Sequence, residues 1–257
     1  MVKKRLVGVI TVKDGWAVQS FGYERYLPLG RPEVLAENLD RWGADEILVQ
    51  CIDRSRRQQD PDFSVLERIA RQGLSTPTIF SGGIRTLEHG IRAISSGADR
   101  IALDAVLHDA PAVVRQLSDH LGAQALIASL PLSLAGDEVR WRDYRDGTDG
   151  PLTPALVALI REKVVSEVAV IDWRHEGDGP FDTGLLRQFP VSHTPLIAFG
   201  GLGDAGQLRA VLDDSRVVAA MVGNALSYRE HAIRAFKHGL GGVPLRVPLP
   251  GLSGPPV

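Results

Sequence analysis

A closed (β/α)8 (TIM) barrel with a half-barrel repeat, an α/β fold, is predicted by three observations. Eight short β-branched runs recur along the chain, most of them separated by a segment with a period near 3.6 residues. The runs are apolar on both faces, as parallel strands covered by helices must be. The chain of 257 residues also repeats itself at half its length. Residues 1–257 are read as one domain, because eight such units in this length suit the closed barrel better than an open doubly wound sheet.

The elements follow in order. The first run, RLVGVITV (5–12), leads into Lys13, Asp14 and a turn glycine. The next stretch, WAVQSFGYERYLPLGRP (16–32), is a loop rich in aromatics and arginine, long enough either to cover a substrate as a lid or to pack on the surface. A helix is expected over 32–43, then the strand EILVQCI (46–52), where Cys51 sits as a small core residue. A helix over 63–73 precedes TPTIFSGG (76–83), and a helix over 86–97 precedes RIALDAV (100–106). A helix over 111–122 leads to ALIASLPL (125–132), after which come EVAVIDW (167–173), PLIAFGG (195–201) and VVAAMVGNA (217–225). Several of the helical segments close on glycine, which suits a helix C-terminus.

Composition narrows the function classes. Lys and Arg number 29 against 31 Asp and Glu, a net charge of -2, so nothing global draws the chain to nucleic acid or an anionic membrane. One cysteine excludes an internal disulfide framework and a Cys-rich metal site, and suits a reduced cytoplasm. No apolar run approaches the ~18 residues of a membrane span, and the first residues lack a signal sequence, so a cytoplasmic protein is expected. No Walker sequence, dinucleotide G-x-G-x-x-G or Ser-centred elbow appears, and no cofactor or metal is expected.

The repeat carries a chemical implication. TPTIFSGGIRTLEHGIRAISSGADRIALDAV has its counterpart in TPLIAFGGLGDAGQLRAVLDDSRVVAAMVGNA. In each, paired glycines follow a strand and precede a helix: Gly82 and Gly83 in one half, Gly200 and Gly201 in the other. Such glycines either make tight βα turns or let backbone N–H groups approach an anion, and their symmetrical placement favours phosphate. Gly223 and Asn224 would complete the second cradle. A small-molecule substrate phosphorylated at both ends would fit the pair.

Charged residues cluster at the predicted strand ends: Lys13, Asp14, Asp53, Arg54, Asp104, Asp172, His175, Glu176 and Asp178. Asp14 suits a turn cap. Asp53 and Asp172 end strands in opposite halves and form the candidate acid/base pair, with structural hydrogen bonding as the alternative. The arginines of DRSRR (53–57) could hold a phosphate or carboxylate, or be solvated. His175 without a second spaced His or Cys does not make a metal site.

KRLVGVITVKDG, GADEILVQCID, GGIRTLEHGIRAISSGADRIALDAV, GAQALIASLPLS, FGGLG and NALSYRE together resemble the cyclase subunit of imidazole glycerol phosphate synthase and its paralogues, over nearly the whole chain to about residue 240. The resemblance implies a glutaminase subunit docked on the N-terminal face of the barrel, sending ammonia through the core to an active site at the opposite face. It also implies a charged ring at the ammonia entrance. Arg5, Glu46 and Glu167 match that ring, and Arg100 stands where the family has lysine. Two cations and two anions can satisfy one another as a closed set.

At the other face the match fails. The family uses two aspartates as general acid and base, at the ends of strands 1 and 5. Thr11 matches the first position and Pro131 the second, with Leu130 beside it. A threonine hydroxyl can still exchange hydrogen bonds, which keeps Thr11 among the candidate catalytic groups, but proline offers no polar side-chain atom. Gln19 replaces a family lysine of the first loop, Cys51 replaces an aspartate, and Asp104 stands where the family has an uncharged residue, which disfavours an anion at the first cradle. Three readings follow. The barrel could transfer glutamine-derived ammonia to a different phosphorylated or nucleotide-linked acceptor, as in amidation of a surface-polysaccharide sugar. It could be the histidine-pathway cyclase with other groups replacing both aspartates. Or it could be a silent scaffold or ammonia conduit.

Overall fold

The computed structural model describes residues 3–246. The eight expected strands form a closed parallel barrel: β1 (Arg5–Lys13), β4 (Glu46–Cys51), β5 (Thr78–Ser81), β6 (Arg100–Leu103), β7 (Leu126–Ala135), β10 (Glu167–Asp172), β11 (Leu196–Phe199) and β12 (Val217–Val222). Closure is made where β7 pairs with β10, in register from Ile127↔Glu167 to Leu132↔Asp172. Two β-hairpin strands, β2 (Trp16–Phe21) and β3 (Arg25–Gly30), extend antiparallel from β1, and β8 (Glu138–Asp143) and β9 (Thr148–Pro151) extend antiparallel from β7.

Helices cover the barrel: α1 (Pro32–Arg41), α2 (Ile52–Arg56), α3 (Phe63–Ala70), α4 (Leu87–Ser95), α5 (Val106–Asp109), α6 (Pro111–Leu121), α7 (Pro154–Arg161), α8 (Gly184–Arg187), α9 (Ala205–Leu212) and α10 (Ala232–Gly239). Local chemistry sets their starts. Proline occupies the first turn of α1, α6 and α7, where its missing N–H costs nothing, and Asp204 with Gln207 forms a capping box on α9.

Strand alternation sorts the core into two layers. Val7, Val9, Leu48, Ile127, Ala169 and Phe199 are among the residues that fill the barrel interior. Their neighbours one position away, such as Leu6, Ile10, Ile47, Val49, Val168 and Val170, pack outward against the helices. Cys51 belongs to this outer layer, and burial pushes its thiol pKa far up, so it stays a protonated core residue.

The stretch read as a first loop is in fact a hairpin. Asp14 and Gly15 both take positive φ, 50° and 79°, the two-residue turn whose twist suits antiparallel strands. The second hairpin, over 138–151, was not expected at all; its tip carries an Asp146-Gly147 pair. Arg145 holds that tip down by pairing with Asp143 at 2.7 Å and with Asp109 of α5. Trp141 of β8 stacks on His108, with ring centroids 3.5 Å apart. Desolvation holds His108 down to a pKa of about 4, and neither ring nitrogen finds a hydrogen-bond partner.

The half-barrel repeat extends to single atoms. Gly82 has φ +115°, and a Cβ there would lie 2.1 Å from the Cys51 carbonyl oxygen; Gly200 has φ +103°, and its Cβ would lie 2.3 Å from the Asp172 carbonyl oxygen. The βα turn after one strand therefore presses on the end of the preceding strand in both halves, and only glycine allows it.

Two predictions follow from this packing. Gly82→Ala and Gly200→Ala each destabilise by more than about 2 kcal/mol in urea unfolding, whereas Gly136→Ala, with open space around it, costs about 1 kcal/mol or less. His108 is neutral in the fold down to about pH 4 but protonates in the unfolded chain near its ordinary value of 6.5. Its contribution is present above that value and is lost as pH falls from 6.5 toward 4. Wild type should therefore lose on the order of 1–3 kcal/mol more than His108→Phe between pH 7.5 and 4.5 in urea titrations.

Candidate functional site

Parallel closure places all strand starts at one face, and there the four charges that match the family ring meet. Arg5 reaches Glu46 at 3.1 Å and Glu167 at 2.7 Å, and Arg100 reaches Glu167 at 2.8 Å and Glu46 at 3.6 Å. Each cation thus touches both anions. Arg5 and Glu46 are buried. Arg100 is tied further, donating to the Gln124 carbonyl at 3.0 Å and to Ser166 Oγ at 2.9 Å. Burial raises the Glu46 carboxyl pKa against the pull of the two guanidinium groups, and its Oε2 has no hydrogen-bond partner. Removing one member would leave a buried charge uncompensated, a loss of about 3–5 kcal/mol.

At the opposite face the inward positions of the strand ends bring Gln50, Ser81, Asp104, Ser129, Pro131 and Ile171 around a cavity of about 590 Å³. Both hairpins lean over it. Tyr23, at the tip between β2 and β3, is half-buried there with its hydroxyl 3.5 Å from Gln50 Oε1. Tyr144, from the tip between β8 and β9, donates to Asp104 Oδ2 at 2.6 Å. Burial, reinforced by Glu176 in one case and Asp104 in the other, raises both phenol pKa values well above 10, so both remain hydrogen-bond donors. Trp173 forms part of the wall, with Arg142 4.4 Å from its ring.

The expected catalytic residues are not brought together. Thr11 is buried beneath the first hairpin, paired with Val18, and lines a second cavity of about 420 Å³ with Trp42, Gly223 and Asn224. Pro131 faces the larger cavity. Asp53 lies in the first turn of α2, where its Oδ2 accepts the Asp14 N–H at 3.1 Å and pairs with Arg57 at 3.4 Å. Asp172 points outward from β10; its Oδ2 accepts the Asp182 N–H at 2.8 Å and contacts His175 Nδ1 at 2.7 Å. Each aspartate binds a loop in its own half, and Asp53 also lines the larger cavity, where its Oδ1 has no hydrogen-bond partner.

The glycine turns are also partly engaged. Gly82 lines the larger cavity, but the Gly83 N–H donates to Ser55 Oγ at 2.9 Å. Gly201 lies against the Gly179 carbonyl, so close that a Cβ there would come within 2.5 Å of it. Asn224 uses its amide to grip the first hairpin, accepting the Ser20 N–H at 3.2 Å and donating to the Ser20 carbonyl at 2.6 Å. Glu176 fastens the same hairpin through the Ser20 hydroxyl at 2.9 Å and the Tyr23 N–H at 3.3 Å; burial raises its pKa more than these bonds lower it.

Of the DRSRR arginines, Arg54 pairs with Asp62 at 2.7 Å and Arg57 with Asp14, while Arg56 lines the cavity without an ion pair among the described residues. Lys13 pairs with Asp14 at 2.9 Å. Asp178 gives its N–H to the His175 carbonyl at 3.1 Å. Among the described residues no group of three or more His, Cys, Asp and Glu side chains could hold a metal ion, and no helix is long and apolar enough to cross a membrane. Tyr144 and Arg145 escaped sequence reasoning. The alternation of Val139 and Trp141 before Asp146-Gly147 was the available signal.

The comparisons agree with this architecture. The family model described as Histidine biosynthesis protein matches residues 5–232. The imidazole glycerol phosphate synthase subunit HisF of Myxococcus xanthus (strain DK1622) is 32% identical over 242 residues, 92% of this chain and 94% of that one. A Vibrio vulnificus (strain YJ016) protein provisionally named imidazole glycerol phosphate synthase subunit hisF2 is 28% identical over 257 residues, 97% of this chain and 92% of its own. HisF of Geobacillus thermodenitrificans (strain NG80-2) is 29% identical over 244 residues, with 92% and 96% covered. The chain belongs to the histidine biosynthesis protein family and is a relative of its HisF cyclase subunits.

Proposed function

We propose that this barrel is a divergent cyclase-like subunit, working in the cytoplasm, that receives glutamine-derived ammonia and transfers it to a phosphorylated or nucleotide-linked small molecule. The observation that carries the reading is the closed set of four charges at the N-terminal face. Arg5, Glu46, Arg100 and Glu167 contact one another across the barrel opening, where a docked glutaminase subunit would release ammonia. Neutral ammonia suits the apolar interior that follows, because a bare ammonium ion there would carry a heavy desolvation cost. The acceptor's phosphate would be held by backbone N–H groups at the glycine turns, with Gly82, Gly83, Gly201, Gly223 and Asn224 as the candidate positions.

The chemistry at the mouth separates this reading from the histidine-pathway cyclase. That alternative has the 32% identity to the M. xanthus subunit in its favour. It needs a titrating pair where this chain carries Thr11 and Pro131, which supply none; Asp172 is held in loop contacts, and of the two candidate aspartates only Asp53 lines the cavity. A surface-polysaccharide sugar is one acceptor class that fits, and no cofactor is needed for amidation of an activated acceptor.

Glu167→Gln in the complex with its glutaminase tests the entrance. Glutamine-dependent turnover should fall by roughly tenfold while turnover on added ammonium stays within about twofold. Equal losses by both routes would remove the ammonia-entrance assignment.

A further inference from the structure

We infer that the first of the two repeat-related anion sites is filled by the chain's own carboxylate, so that the acceptor places a nitrogen group bearing N–H, an amine or amidine, against Asp104 and keeps its phosphate in the other half. The inference rests on the phosphorylated-acceptor reading above and specifies which acceptors fit it.

The argument begins with the repeat. Aligned half against half, Asp104 of RIALDAV falls where VAAMVGNA has Gly223. One half therefore offers bare backbone at a position where the other projects a carboxylate into the cavity. In the glycine turn beside it, one of the two candidate backbone donors is already engaged. The Gly83 N–H is taken by Ser55 Oγ at 2.9 Å, and the Ser55 hydroxyl donates onward to Asp104 Oδ2 at 2.6 Å. The Tyr144 hydroxyl donates to that same oxygen at 2.6 Å. Among the described residues no side chain or backbone group donates to Asp104 Oδ1.

A carboxylate with one oxygen satisfied twice and the other unbonded at a cavity wall is an acceptor waiting for a donor. A phosphate brings negative charge and only acceptor oxygens, so it is repelled at this position. A protonated amine or an amidine brings both the charge and the hydrogen that Oδ1 lacks.

The carboxylate is also held in place. Tyr144 is fixed by its neighbour Arg145, which pairs with Asp143 at 2.7 Å and with Asp109, and by Arg142 against Trp173. Those two arginines and Lys13, all on the cavity wall, have their charges paired within the protein: Arg145 as described, Arg142 with Asp149 at 3.5 Å and Lys13 with Asp14. Arg56 carries an unpaired charge on the same wall, but among the described residues no cation makes an ion pair with Asp104 itself.

The test uses two probes of equal chain length, 6-aminohexyl phosphate and 1,6-hexanediol bisphosphate, titrated calorimetrically into the full-length protein. The wild type should bind the aminoalkyl phosphate about tenfold or more tightly than the bisphosphate, and Asp104→Asn should reverse the order. Equal affinity in the wild type, or preference for the bisphosphate, overturns the inference, as does an unchanged ratio in a folded Asp104→Asn protein. Should that variant unfold, the wild-type ratio alone decides. Binding of neither probe would instead overturn the phosphorylated-acceptor reading itself, and this inference with it.

Discussion

Closure of the parallel barrel between β7 and β10 is the constraint on which everything else depends. Eight strands running the same way must start at one face and end at the other, and alternation along each strand then decides which side chains point inward. Charges at the first inward positions of four strands are forced into one ring. Polar groups at the last inward positions are forced around one cavity. Between them lies a layer of apolar side chains that separates the two polar faces. A sequence change at a strand end therefore alters chemistry at one face without disturbing the other.

The two faces have been treated differently. The N-terminal face carries alternating charge, with Arg100 anchored by four partners: Glu46, Glu167, the Gln124 carbonyl and Ser166. A guanidinium held by its planar fork is a stiffer element than an ammonium on a flexible stem. At the mouth, Thr11 and Pro131 stand where the resemblance places the titrating pair, and Asp104 is clasped by Ser55 and Tyr144. The hairpins that roof the cavity are built from the segments following the strands of Thr11 and Pro131, so the roof springs from the two strands that carry these positions.

Much of the fold was legible because its signals are local. All eight barrel strands were readable as β-branched runs apolar on both faces, and the paired glycines marked the repeat. The hairpins were not: β2 and β3 carry exposed Trp16 and Leu27 along with buried Ala17, a pattern that reads as an aromatic loop until the Asp14-Gly15 turn is given its weight. The site was less legible still, because its contacts are long-range. Ser55 and Tyr144 lie 49 and 40 residues from Asp104, and nothing in either segment announces the meeting. Asp53 and Asp172 sat at the expected strand ends and both accept loop N–H groups, but only Asp53 also lines the cavity, a difference that spacing alone cannot show. The ring could be anticipated only through family resemblance, since each member taken singly looks like an ordinary surface charge.

The central proposal is that this barrel admits ammonia at the charged N-terminal face while its mouth carries out a chemistry different from that of the histidine-pathway cyclase. Turnover of the histidine-pathway substrate, phosphoribulosyl-formimino aminoimidazole carboxamide ribotide, by the purified protein with excess ammonium tests it most directly, since the assay bypasses the entrance and questions the mouth alone. Folded protein that yields no imidazole glycerol phosphate is the predicted result. Efficient conversion would show that other groups replace the missing aspartates and would contradict the account.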